Sequence, residues 1–399
     1  MRVAVIGAKG IPPKQGGIEH YCAEIYPRMV SQGHTVDLFA RTSYTENTGW
    51  QSNYYRGVQV ISVPGLDYTG VDAFVTSAMG AIAATRQQYD IIHFHALGPA
   101  LFTCIPRLAN SAKIVVTCHG LDWQRAKWGS LSTKVIQLGE QTAVRFAHSL
   151  IVVSKALQTY FWQTYQRNTV YIPTAPANYG ESDPNFVYGR HLGLETGRYI
   201  LFLGRLVPEK RPDLLVDAFC RLQPQGWKLV LAGGVSDTKG FTSQLLEKIA
   251  HQKNIVFAGE LRGSRLWEIV RGAGLFVLPS DLEGLPLSML EAMREGIPVL
   301  GSDIAPHQQL LAEERGILFK AGNLDSCVST LDWALQNPEK LPAMVKKAQK
   351  YVSLNYSWDR ITSETLRLYT QVLNPCEITD KLQTETSEGD LAKLGAKNR

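Results

Sequence analysis

The chain has 399 residues, 45% of them hydrophobic and 19% charged, with a net charge of +5. That length exceeds what one hydrophobic core usually organises, so two globular domains are the default and a disordered chain is excluded. No run approaches the ~20 apolar residues of a membrane span. The six cysteines form no CxxC pair, which disfavours zinc and a disulfide framework, and no basic run suits a nucleic acid.

The chain opens on Arg2-Val3-Ala4-Val5-Ile6-Gly7, a short buried-strand pattern that predicts a strand running into a glycine loop rather than a leader peptide. The loop that follows, Gly7 to Gly17, carries Lys9, Lys14 and the pair Gly16-Gly17 just before an amphipathic helix with Ile18, Tyr21, Ile25 and Met29. A Gly-rich backbone at a helix start suits a diphosphate, although a plain surface loop would read the same way. The dinucleotide spacing GxGxxG is absent, so a nicotinamide reading is disfavoured. Gly33 closes the helix. Strands are expected over 35–40 and 58–64, with a helix over 73–86.

Two further strands, 89–95 and 113–118, end on His95 and on Cys118-His119-Gly120. Open α/β sheets bind ligands beyond the carboxyl ends of their strands, which favours a functional His119, whereas His93 reads as structural. Residues 122–148 predict a helix containing Trp123, Arg125, Lys127, Trp128, Lys134 and Arg145, either a solvated face or a seat on an anionic membrane. Residues 1–180 hold 15 Lys and Arg against 9 Asp and Glu, a mild bias toward anionic surfaces or substrates. Strands at 149–154 and 169–173 close this half, and the polar stretch Thr174 to Gly197 reads as a linker.

A second α/β series opens with Arg198-Tyr199-Ile200-Leu201-Phe202-Leu203-Gly204 and runs into Arg205-Leu206-Val207-Pro208-Glu209-Lys210-Arg211. Arg205 and Lys210 could reach one phosphate pair, the arginine bidentately, or else sit in a solvated loop. Strands follow at 228–234 and 254–259, and Glu260-Leu261-Arg262 would meet a nucleobase through backbone groups. The stretch Val277 to Pro298, VLPSDLEGLPLSMLEAMREGIP, ends a strand, turns through a polar loop and starts a helix near Pro286. Leu287, Leu290, Met293 and Ile297 would bury one face. Its free N–H groups and dipole suit a phosphate, with Glu291 about a turn on to receive sugar hydroxyls and Glu283 in the loop. A last helix is expected from Tyr356-Ser357-Trp358 to about Leu373, then a polar disordered tail from Asn374 to Arg399.

Gly16-Gly17, Gly204-Arg205 with Lys210, and Glu283-x7-Glu291 together resemble the retaining family 4 glycosyltransferases of GT-B fold, over nearly the whole chain up to about Leu373. GIPPKQGGIE is also similar to a bacterial subgroup that includes rhamnosyltransferases of surface-polysaccharide assembly. The resemblance implies an α/β architecture of two Rossmann-like domains facing each other across a cleft: residues 1–180 on the acceptor side, residues 181–355 holding the nucleotide-sugar, and helix 356–373 packing back on the first. It implies that Arg205 and Lys210 neutralise the diphosphate leaving group, with Gly16, Gly17, Gly284 and the N–H groups of Leu287 and Ser288 completing the cradle. Glu291 would bind the ribose, Glu283 the donor sugar, and His119 a sugar hydroxyl near the reacting centre. No metal or other cofactor is implied. The partners implied are a nucleotide-sugar donor and a glycan or lipid-linked acceptor, with a cytoplasmic enzyme resting on the inner face of an anionic membrane. One departure stands out: many relatives have Ile-Pro-Asn-Gly where this chain has Ile172-Pro173-Thr174-Ala175. A nucleotide-sugar 2-epimerase and a non-catalytic nucleotide-binding scaffold are the alternatives on the same fold.

Overall fold

A computed structural model describes residues 1–14, 16–45, 49–65, 71–124, 129–234 and 239–375. Arg125, Lys127 and Trp128 of the basic, aromatic stretch, and the tail from residue 376 on, lie outside the described residues. The chain divides into two compact units, one of residues 1–117, 138–151 and 359 onward, the other of residues 118–137 and 152–358.

The first sheet contains β1 (Arg2–Ile6), β2 (Thr35–Arg41), β3 (Gln51–Tyr55), β4 (Val58–Val63), β5 (Ile91–His95), β6 (Lys113–Cys118), β7 (Ser149–Val152) and β8 (Val170–Tyr171). Its order is β3-β4-β2-β1-β5-β6-β7-β8, and the division between the units falls inside β7. The pairs β1–β2, β1–β5, β2–β4 and β5–β6 are parallel. Parallel strands are covered on both faces, so they read as nearly continuous apolar runs, and Val3, Ala4, Val5, Ile91, Ile92, Phe94, Ile114, Val115 and Val116 are fully buried. β3 is different: it pairs antiparallel at the edge, is polar, and is largely exposed. It carries no apolar pattern and is absent from the expected elements. A solvated edge needs no such pattern.

His93 and His95 are both completely buried. The Tyr26 hydroxyl lies 3.2 Å from His93 Nδ1 and 2.6 Å from His95 Nε2, the Tyr369 hydroxyl lies 2.6 Å from His93 Nδ1, and Thr117 Oγ1 lies 2.7 Å from His93 Nε2. His95 therefore ends its strand inside a polar network of the core rather than on an open surface. Tyr369 belongs to the helix Trp358–Leu373, and near its start Asp359 accepts a bond from Arg28 Nε at 2.9 Å, so this helix is tied to the rest of the first unit toward both of its ends.

The second sheet contains β9 (Tyr199–Leu203), β10 (Lys228–Ala232), β11 (Ile255–Gly259), β12 (Leu275–Leu278), β13 (Val299–Ser302) and β14 (Ile317–Phe319), ordered β11-β10-β9-β12-β13-β14 with parallel pairing throughout. The strand order reverses between β9 and β12, and an open α/β sheet presents its ligand crevice at such a point. Gly233, just past β10, has φ +152°, and a Cβ there would fall 1.8 Å from the Gly204 carbonyl oxygen at the end of β9. Gly233→Ala is expected to cost ~1–3 kcal/mol through forced backbone movement. A melting temperature within a degree of the parent would contradict that close approach.

The expected linker, 174–197, contains the short helix Val187–His191 and is otherwise fastened down at residues 176–182. Residues 122–148 yield a 3-10 turn, Asp122–Gln124, and the helix Ser130–Phe146. Among the described residues no helix is long and apolar enough to cross a membrane.

Candidate active site

The loops that leave β9 and β12, neighbours in the sheet, bring Lys210 and Glu283 together although 73 residues separate them. Lys210 Nζ donates to Glu283 Oε1 at 2.5 Å, and the two side chains are only 15% and 11% exposed. Lys210 lies over Gly204, where an added Cβ would sit 3.1 Å from its Cδ. The backbone ties the same loops, with the Asp281 N–H donating to the Glu209 carbonyl at 2.9 Å, and Arg211 reinforces the tie through Asp281 at 3.1 Å. Arg205 stands two residues beyond β9.

Beneath Glu283 runs a polar chain that motif spacing does not reveal. Ser280 Oγ donates to Glu283 Oε1 at 2.9 Å, Ser302 Oγ donates to the Ser280 carbonyl, and His307 Nδ1 lies 3.0 Å from the Ser302 carbonyl and 3.1 Å from its hydroxyl. A carbonyl only accepts, so Nδ1 carries the proton and Nε2 is an acceptor that meets no partner among the described residues. Burial pushes the Glu283 carboxyl up, but the Lys210 charge and hydrogen bond, His307 and Ser280 outweigh it and hold the pKa below the ordinary value. Glu283 is therefore an ionised acceptor at neutral pH. His307 is pushed down to about 4, first by burial and also by Lys210, against the opposing pull of Glu283 and Ser302, so it is neutral there.

The helix Leu287–Glu295 begins directly after Pro286. Met289 and Leu290 are its first residues to donate back, both to the Pro286 carbonyl at 3.1 and 3.2 Å, which places the N–H groups of Leu287 and Ser288 ahead of the first helical bond. Met289, Leu290, Ala292 and Met293 are buried and Ile297 is 5% exposed, while Leu287 is only half-buried, being the residue that opens the helix. Residues 118–137 belong to the second unit, and the half-buried His119 with Gly120 lies against Gly284, where an added Cβ would fall 2.2 Å from the His119 carbonyl oxygen. Only glycine fits at 284. Thus Arg205, Lys210, Glu283, Gly284, Leu287, Ser288 and His119 all stand on loops or helix starts of this one unit.

Glu291 is engaged in a way the motif does not announce. The Tyr179 hydroxyl donates to its Oε2 at 3.0 Å, and the Ala177 N–H also binds the carboxylate. Burial raises the Glu291 pKa to about 7 against the downward pull of Tyr179, Ala177 and Arg294, with Glu295 adding to the rise. An open hollow of about 680 Å³ lies on the same unit, lined by Tyr188 and by residues 258–265, the end of β11 and the segment after it.

Gly16 and Gly17 belong to the first unit. Gly16 has φ +99°, and a Cβ there would meet Glu19 Oε2 at 2.1 Å. Glu19 is buried and accepts from the Lys9 N–H at 3.0 Å, so its carboxylate ties the glycine loop to the first turn of the helix Gly17–Ser31. Among the described residues no group of three or more His, Cys, Asp and Glu side chains converges as a metal site requires.

Two family models cover these elements, Glycosyltransferase Family 4 over residues 15–175 and Glycosyl transferases group 1 over residues 190–351. The chain belongs to the family 4 glycosyltransferases. This glycosyltransferase is 25% identical over 408 residues to the D-inositol 3-phosphate glycosyltransferase of Gordonia bronchialis, covering 93% of the chain and 89% of the relative. In fold it resembles sucrose-phosphate synthase from Thermosynechococcus elongatus, with a TM-score of 0.80 at 20% identity, covering 94% of this chain and 99% of that one. HepE of Anabaena, solved in complex with UDP and glucose, superposes with a TM-score of 0.76 at 18% identity, over 93% and 100% of the two chains. Two parallel-sheet α/β units of this kind are the GT-B fold.

Proposed function

We propose that this family 4 glycosyltransferase moves a sugar, with retention of anomeric configuration, from a nucleoside-diphosphate donor to a glycan or lipid-linked acceptor in bacterial surface-polysaccharide assembly. The observation that carries the reading is the Lys210–Glu283 pair, set at the reversal point of the second sheet on the loop that leads into the helix starting at Leu287 and Ser288, whose N–H groups precede the first helical bond. A departing diphosphate gathers negative charge in the transition state. Arg205, Lys210 and the helix start meet that charge, supplying what a divalent cation supplies in other enzymes. Ionised Glu283 has lone pairs left beyond Lys210 and Ser280 to receive donor-sugar hydroxyls. His119, held beside Gly284, would bind a hydroxyl near the anomeric carbon. Glu291 would take the ribose, and the hollow after β11, with Glu260-Leu261-Arg262 on its rim, the base. UDP in the HepE structure supports a uridine donor, and the inositol 3-phosphate in a relative's name supports a hydroxyl acceptor. The basic bias of residues 1–180 supports an acceptor or surface of negative charge, such as the inner face of the plasma membrane.

The test is thermal melting of the full chain against UDP, GDP, ADP and dTDP and their sugars. Binding to the folded state alone raises the melting temperature by mass action, by ~2.7 kcal/mol of stability at 100-fold over Kd. One nucleotide is expected to shift it strongly, undiminished by EDTA. No shift with any of the four would overturn the nucleotide-sugar reading.

A further inference from the structure

Residues 176–182 are bolted to the two helices that flank β12. Arg294 donates to the carbonyls of Pro176 and Ala177 and to Asn178 Oδ1. Arg271, from the helix Gly263–Arg271, donates to the Gly180 carbonyl at 2.8 Å and to Ser182 Oγ at 3.1 Å, and also pairs with Glu295 at 2.7 Å. Trp358 Nε1 reaches the Pro176 carbonyl at 3.1 Å. Within this strap the Tyr179 ring stacks on Trp267, centroids 6.1 Å apart and planes 29° apart, with the Arg294 guanidinium 5.4 Å from its centroid. A Cβ on Gly180 would fall 2.5 Å from the Trp267 ring, so the glycine is what lets the strap lie this close. All this fixes one hydroxyl, and that hydroxyl points at Glu291.

We infer that Tyr179 is a positioning residue for Glu291, its hydroxyl fixing the carboxylate so that the remaining lone pairs face the vicinal hydroxyls of a nucleotide's ribose. The inference rests on the proposed role of Glu291. A carboxylate offers about four acceptor sites. Tyr179 and the Ala177 N–H occupy two, from the strap side, and the rest serve a ligand. The Tyr179 bond has a second effect. It is the largest of the influences that oppose burial at Glu291, ahead of Ala177 and Arg294, while Glu295 acts the other way. It thus keeps more of the carboxylate ionised, and able to accept, near neutral pH.

The experiment compares UDP with 2′,3′-dideoxy-UDP by titration calorimetry on the full chain and on Tyr179→Phe, from pH 6 to 9. Tyr179→Phe is expected to weaken UDP about tenfold, leave the dideoxy analogue unchanged, and move the pH at which UDP affinity rises to a higher value. Equal loss for both nucleotides would mean a merely structural strap and overturn the inference, as would no loss for either. Glu291→Ala separates the two levels: if it weakens UDP and dideoxy-UDP alike, the ribose role of Glu291 fails whatever Tyr179 does. A parent chain that binds neither nucleotide would overturn the uridine-donor reading and this inference with it.

Discussion

Lys210→Met is expected to lower kcat by 100- to 1000-fold, the usual cost of removing one group aimed at charge that develops in the transition state, ~2.7–4 kcal/mol. The same change strands Glu283, which is only 11% exposed and would keep just Ser280 and His307 for company. Breaking one side of a buried ion pair costs up to ~3–5 kcal/mol, and partial exposure places this pair toward the lower end. A lost rate alone would therefore be ambiguous between chemistry and folding. The double variant Lys210→Met, Glu283→Leu resolves it, because neither charge is left without its partner. Its melting temperature is expected to recover most of the loss while its rate does not. Recovery of both would mean that the pair is scaffolding, and near-parental kcat in the single variant would remove Lys210 from the leaving-group role. Acid melting adds a check on Glu283. Its pKa is lowered on folding, so its stabilisation is present above the unfolded value near 4.5 and is lost as pH falls through the folded value.

The pair also shows how far the sequence could be read. β1, β2, β5, β6, β9, β10 and β12 announce themselves because a strand covered on both faces is apolar over most of its length, as in Tyr199–Leu203 and Leu275–Leu278, even where a buried Asp37 or His93 interrupts it. The helix after Pro286 was legible from cap chemistry, a local matter, whereas glycine at 284 answers to the distant His119 carbonyl. That Lys210 would meet Glu283 was not, since it depends on β9 lying beside β12, a neighbour relation that no spacing encodes. His307 and Ser302 stayed hidden for the same reason: Ala305–Leu311 reads as an ordinary helix start, and only the stacking of successive strand ends lays its histidine under the Glu283 loop. The strap is the plainest case. Residues 176–182 have no periodicity, and 112 residues separate Tyr179 from the carboxylate it binds. At the other end of the chain, Gly16 was legible as a special backbone position, while Glu19, whose carboxylate takes up the space a side chain at 16 would need, was not.

Glu291→Gln is expected to stabilise the protein and weaken nucleotide binding together. Burial on folding raises the Glu291 pKa to about 7, from an ordinary value near 4.5. Between those values the folded state holds a proton that the unfolded state has released, so stability falls as pH climbs from about 4.5 to about 7 and stays low above it. At 1.36 kcal/mol per unit, the penalty at pH 8 is on the order of 3 kcal/mol. Glutamine keeps the acceptor for Tyr179 without the buried charge. The variant should therefore melt several degrees above the parent at pH 8 and level with it at pH 4.5, and a parental melting temperature at pH 8 would show that the carboxylate carries no such penalty. Binding should move the other way, since a carboxamide offers a ribose one accepting oxygen in place of two and loses the charge that strengthens the bond. A buried carboxyl whose ionised form weakens the fold is what a binding role for Glu291 would require. Equal gains in stability and in affinity for UDP would break that link and return Glu291 to the ordinary acids of a helix.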